Sequence, residues 1–181
     1  VVGIIPMGDE KQNLIARTLG IPPGELACEV LSRRRVVQLD LGMVNGRYFL
    51  TTASLDAPTF LCTGERMKHY TIRPTVQRTK LTVENLSFPI QEGGVTIQSN
   101  PRDGVVEVVM RPIPDSMTRI FSLGQKNVYA PSVFPVEEMR ISDPDGAVMT
   151  LDGCRTVKLP ALIKVAPKKF RMIIGRERTF A

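Results

Sequence analysis

The chain has 181 residues, 43% apolar and 23% charged, the balance of a folded globular protein rather than a disordered one. Its formal net charge of +6 favours phosphates, nucleic acid or an anionic membrane leaflet. With 6% aromatic residues, no tryptophan and no Arg/Gly/aromatic recognition pattern, nucleic acid is set aside as a partner.

No window approaches the ~18 consecutive apolar residues of a membrane span. Val1 to Pro6 has neither the basic region nor the cleavage site of a signal peptide, and an opening on an apolar run suggests a chain that begins inside a larger protein. Cys28, Cys62 and Cys154 are far apart and form no CxxC pair, and the single histidine is His69. A structural zinc needs about four clustered ligands, so none is expected. A reducing, cytoplasmic location is the plain expectation.

In chain order, Val1 to Ile5 reads as a short buried strand ended by Pro6 and Gly8. Asp9, with Gln12 three residues on, resembles a capping box opening a short helix that Gly20 closes. A second short helix is expected from Glu25 to Leu31. After Arg35 the pattern turns to strands. Asn45-Gly46 between two apolar runs is a strong hairpin signal, because both residues tolerate positive φ. Strand-length segments follow near 69–75, 79–86, 94–99, 105–111, 137–142, 146–151, 154–158, 161–165 and 170–174, with Asp143-Pro144-Asp145-Gly146 and Asp152-Gly153 as turns. The scattered methionines read as core filling. His69 has no local Ser or Cys partner and reads as a surface or satisfied histidine. The fold class is mainly β, a β-sandwich or β-barrel entered through a strand and two short helices.

Three segments together resemble the diacylglycerol kinase, sphingosine kinase and bacterial lipid kinase superfamily. The first runs from Ile4-Ile5-Pro6-Met7-Gly8 through Asn13 to Leu19-Gly20-Ile21-Pro22. The second is Leu39-Asp40-Leu41-Gly42-Met43-Val44-Asn45-Gly46-Arg47-Tyr48-Phe49-Leu50. The third extends from about Val136 through Leu151-Asp152-Gly153-Cys154 to Val165-Ala166-Pro167. The resemblance implies that 1–181 is one β-rich C-terminal domain of this fold, an architecture broadly shared with the nicotinamide nucleotide kinases. Residues 1–35 would face a nucleotide-binding domain missing from this chain, and 36–175 would form the β part. It further implies ATP and magnesium as cofactors and phosphorylation of a lipid hydroxyl. Asp152 and Gly153 are then the catalytic candidates, Gly8 and Asn13 border the nucleotide, and Asp103 with Val105 correspond to a magnesium-holding stretch.

The departures bear on chemistry. Phosphoryl transfer needs backbone donors and cations around the phosphates, yet no Gly-Gly-Asp-Gly-Thr loop occurs in the chain. Asp9 to Gln12 lengthens the turn before Asn13. Cys154 stands where the family usually has glutamate, and Arg102 replaces an acid before Asp103. The leading expectation is therefore a lipid kinase domain inactive by itself, and the alternative is a non-catalytic relative that binds lipid or protein. A nicotinamide nucleotide kinase is disfavoured by the Leu-Gly-Ile-Pro and Val-Asn-Gly-Arg segments. The basic clusters, Arg33 to Arg35, Arg66 with Lys68, and Lys168 to Arg178, are either a solvated face or a surface for peripheral attachment to anionic membrane. Asp152-Gly153 is likewise either a plain tight turn or part of a site.

Overall fold

A computed structural model of the chain describes residues 1–9, 11–57, 60–64, 71–74, 79–113 and 130–181. Two short helices, α1 (Leu14–Thr18) and α2 (Leu26–Ser32), precede the strands. The first strands are β1 (Val36–Leu39), β2 (Gly42–Val44), β3 (Arg47–Phe49), β4 (Thr52–Ala57), β5 (Leu61–Gly64) and β6 (Thr71–Ile72). Next come β7 (Thr79–Glu84), β8 (Ile90–Glu92), β9 (Val95–Ile97), β10 (Val106–Pro112) and β11 (Ser132–Val136). The last are β12 (Glu138–Ser142), β13 (Val148–Leu151), β14 (Arg155–Lys158), β15 (Ala161–Val165) and β16 (Phe170–Ile173).

Alternation along these strands builds a sandwich. One antiparallel sheet has the order β11-β10-β7-β4-β13-β14, the other β3-β2-β15-β12-β5-β6. Leu81, Val83, Val106, Val108, Met149 and Leu151 point inward from the first sheet, and Val44, Met139, Ile141 and Ile163 meet them from the second. Both sheets are open, so of the two expected architectures the sandwich is the one formed. Gly42 is required at the start of β2, because a Cβ there would lie 2.0 Å from the Phe49 ring.

A second, smaller core lies beside the sandwich. Leu39 of β1 and Met172 of β16 pack with Ala16, Leu19 and Ala27 of the helices and with Leu86, Ile174 and Phe180. β1 and β16 pair antiparallel, Val36 opposite Ile173. The buried opening strand expected over Val1 to Ile5 is corrected here. Only an isolated parallel bridge from Val2 to Met172 forms, and Val1, Val2 and Ile5 are exposed. The capping-box expectation also shifts: α1 begins at Leu14 with Asn13 at its N-cap, and Asp9 instead accepts from the Lys11 N–H at 2.9 Å inside the preceding turn. His69, Arg66 and Lys68 lie outside the described residues.

Candidate functional site

The chain passes between the two cores repeatedly, and polar side chains hold four of these places. The first is at Asp40, between Leu39 in the small core and Val44 in the sandwich. The second joins Phe49 in the sandwich to Leu50, which packs on the small core, and returns at Ala53. The third leads from Val83 to Leu86, and the fourth from Val165 to Phe170. At such a crossing the backbone leaves one sheet before entering another, so its N–H and C=O groups need other partners.

Asp152 supplies them at the second passage. It sits in the β13–β14 hairpin with φ +46, followed by Gly153 at φ +69, the left-handed pair of a type I′ turn. This conformation aims the carboxylate at residues 50–52. Oδ2 accepts from the Leu50 N–H at 2.9 Å. Oδ1 accepts from the Thr51 N–H at 2.8 Å, the Thr51 hydroxyl at 2.6 Å and the Thr52 N–H at 3.1 Å. The Asp152 N–H adds a bond to the Thr52 carbonyl at 2.8 Å. Partial burial pushes the carboxyl pKa up, but the Thr51 hydroxyl and the three backbone N–H groups outweigh it, so Asp152 titrates below the usual carboxylate value. It is held ionised, which makes it a strong acceptor and a weak base. Oδ2, engaged by one donor, keeps capacity for another.

Asn85 and Asp40 continue the seam. The buried Asn85 amide donates to the Leu50 carbonyl at 2.8 Å and to the Asp40 carbonyl at 2.9 Å, so it ties the second passage to the first. Its Oδ1 is buried without a hydrogen-bond partner. Asp40 is fully buried and accepts from the Gly104 N–H at 2.9 Å and from the Lys169 ammonium, which anchors the fourth passage. A buried carboxylate needs such a partner.

The residues singled out by motif are thus divided. Asp152, Gly153 and the exposed Cys154 share one hairpin, closed by the Cys154 N–H on the Leu151 carbonyl at 3.0 Å. Asp103 and Val105 flank Gly104 and so adjoin the seam through Asp40, but the Asp103 carboxylate accepts from the Val105 N–H at 3.2 Å. Among the described residues no group of three or more His, Cys, Asp or Glu gathers as a metal cluster. Gly8 and Asn13 share a separate turn, where the Asn13 amide donates to the Met7 and Asp9 carbonyls, both at 2.9 Å. That bonding orders the turn before α1, and the turn carries no phosphate loop. Asn85 was not singled out from sequence, and Lys169 was read only as part of a basic cluster. Asp40, an acid between Leu39 and Leu41 in a strand-like run, carried a signal in its placement.

Glu107 presents a different acidic environment, on the face of β10 turned away from the sandwich core. It stands opposite Glu84 in the β7–β10 register. Burial, Asp103 and Glu84 push its pKa up to about 7, and its Oε2 is buried without a hydrogen-bond partner. Glu84 is paired to Arg111 at 3.3 Å, and Arg111 also reaches Glu92 of β8 at 2.8 Å.

No protein-family model matches the sequence, and no curated protein matches it. Solved structures do. A diacylglycerol kinase from Bacillus anthracis str. Sterne aligns with a TM-score of 0.68 at 16% identity, over 92% of this chain and 65% of that one. Two proposed diacylglycerol kinases from the same organism align with TM-scores of 0.65 and 0.67 at 17% and 14% identity, each over 91% of this chain. This chain covers 66% and 65% of those two. The chain therefore has the diacylglycerol kinase-like fold and spans 65–66% of the length of these structures.

Proposed function

We propose that this chain is the lipid-accepting part of a diacylglycerol kinase-like enzyme that transfers the γ-phosphoryl group of ATP to a lipid hydroxyl. One observation carries the reading: within this fold, the Asp-Gly hairpin holds an ionised carboxylate against the passage between two cores, with Oδ2 able to take one more donor. A lipid hydroxyl donating to Oδ2 would be oriented for attack, and Asp152 would act as a positioning residue rather than as the base. ATP and magnesium would be held with a nucleotide-binding part supplying the phosphate loop that this sequence lacks, Gly8 and Asn13 lying at its border. The lipid would be reached from the cytoplasm at an anionic membrane surface, through the basic residues at 33–35 and 168–178. Among the described residues no helix is long and apolar enough to cross a membrane.

A second reading rests on Cys154. An exposed thiol at the position where the resembled family carries glutamate leaves the hairpin without a second carboxylate, which suits a non-catalytic lipid binder. Transfer of labelled phosphate from ATP to diacylglycerol in mixed vesicles, measured on the intact protein, separates the two. The kinase reading expects transfer that falls at least tenfold in Asp152→Asn and rises in Cys154→Glu. No transfer by any of the three proteins, with vesicle binding retained, establishes the binder instead.

A further inference from the structure

A cavity of about 610 Å³ opens on the small core, away from the polar seam. Neither Gly8, Asn13, Asp40, Asn85 nor Asp152 lines it. Its wall combines apolar and cationic side chains. Leu26 and Val30 of α2 and Ile174 after β16 line it. Arg17, Arg33, Arg35 and Arg176 line it too, with two carboxylates, Glu29 and Glu177.

The backbone is pinched beside these arginines. Gly175 packs so tightly on Gly20 that a Cβ on it would lie 1.7 Å from the Gly20 carbonyl oxygen. The Gly175 N–H donates to the Leu19 carbonyl at 2.8 Å, and the Thr179 N–H to the Thr18 carbonyl at 3.0 Å. The segment carrying Arg176 is thereby fixed along the end of α1, while α2 runs directly into Arg33 and Arg35. Arg17 lies over the Phe88 ring, 4.0 Å from its centroid, which orients its guanidinium. Among the described residues none of the four guanidinium groups is held in an ion pair.

We infer that this cavity binds an amphiphile bearing a phosphomonoester, its phosphate on the arginines and its apolar part along Leu26, Val30 and Ile174. A guanidinium fork matches phosphate oxygens in pairs. Four cations against two carboxylates leave two positive charges, which balance a phosphomonoester of about −1.5 to −2. The volume falls within the ~300–1,000 Å³ of small-ligand pockets, and a bare phosphate would leave the apolar wall wet. A diacyl phosphatidate is the product that transfer to diacylglycerol would make, so the ligand class is shared with the proposed function, while the cavity excludes Asp152 and its test reads binding without transfer.

Titration calorimetry on the whole chain tests it with monomeric dihexanoyl phosphatidic acid, inorganic phosphate, glycerol 3-phosphate and dihexanoyl phosphatidylcholine. The phosphatidic acid is expected to bind saturably, at least tenfold tighter than the other three. Arg33→Gln/Arg176→Gln, both positions exposed and outside the cores, should weaken it at least tenfold with thermal unfolding unchanged. Leu26→Ser should weaken the phosphatidic acid and leave inorganic phosphate alone. Equal affinity for phosphate and phosphatidic acid would overturn the amphiphile assignment. Absence of saturable binding, or a double variant that binds normally, would overturn the site. If phosphatidylglycerol vesicles alone are lost in the double variant, the arginines act as a diffuse charged face and the inference fails.

Discussion

Two hairpins of this protein share a backbone and differ in what their side chains do. Asn45-Gly46 joins β2 to β3 with φ values of +46 and +81, and Asp152-Gly153 joins β13 to β14 with +46 and +69. At the first, the Asn45 amide uses both its polarities. It donates to the Pro160 carbonyl at 2.9 Å and accepts from the Leu162 N–H at 2.8 Å, stitching one sheet edge to the turn before β15. At the second, the Asp152 carboxylate only accepts, and it gathers four donors from the passage between the cores. Local geometry admits Asn, Asp or Gly at both places. The acceptor-only demand of residues 50–52 is what selects a carboxylate at the second.

The comparison breaks first at Asp152. Asp152→Ala removes a charged acceptor and places a Cβ-bearing residue without a local hydrogen bond at positive φ, so a loss of about 3 kcal/mol is expected from chemical denaturation. Asp152→Asn keeps the turn and loses the charge, with an expected cost about half as large. The pH dependence identifies the cause. The folded-state pKa is depressed, so the stabilisation is present above the unfolded-state pKa and disappears as pH falls through the folded one. Wild type and Asp152→Asn should therefore converge in strong acid and separate towards neutral pH. A gap that stayed constant with pH would show that the carboxylate charge has no part in the clamp.

Much of this was legible in sequence, and the boundary is physical. Asn-Gly and Asp-Gly announced their turns because positive φ is a local requirement. β7, β10, β12 and β15 announced themselves by alternation. β4 did not: its inward residues are Ala53 and Leu55 and its outward ones Thr52, Ser54 and Asp56, a weak pattern for a strand between β13 and β7. β11 contains Pro135, which reads as a break but is tolerated on a strand that ends its sheet. The polar seam was the least legible. Asn85 meets a carbonyl 45 positions away, and Lys169 meets a carboxylate 129 positions away, so no window of sequence contains either pair. The motif around Asp152 marked the place, while its role as a clamp depends on Thr51 a hundred residues earlier.

Glu107 sharpens the comparison with a carboxylate shifted in the opposite direction. Its pKa rises from 4.5 to about 7, first through burial and then through Asp103 and Glu84. The folded state therefore keeps a proton that the unfolded state releases, and stability falls as pH rises from about 4.5 to about 7 before levelling. Glu107→Gln should abolish that fall. Because the group is only partly buried, the expected gain above pH 7 is on the order of 1–2 kcal/mol after solvent screening. If the variant were no more stable at pH 8 than at pH 5 relative to wild type, the unpartnered Oε2 would carry no cost.

The smallest expected effect asks whether the two turns can exchange their side chains. Asn45→Asp keeps the left-handed backbone and the bond from the Leu162 N–H, and it loses the donation to the Pro160 carbonyl. Once ionised, the introduced carboxylate also places an oxygen near that carbonyl, a repulsion that protonation relieves. The expected cost is about 1 kcal/mol near neutral pH, shrinking as pH falls below the carboxylate range, as the cost of Asp152→Asn also does, although one change adds a carboxylate and the other removes one. Denaturant midpoints for Asn45→Asp and Asp152→Asn, measured across the same pH series, should therefore both approach the wild-type value in acid and fall below it towards neutral pH. Costs that stayed constant with pH would mean that both positions respond to turn conformation alone, and the distinction between a two-way amide and an acceptor-only carboxylate would be lost.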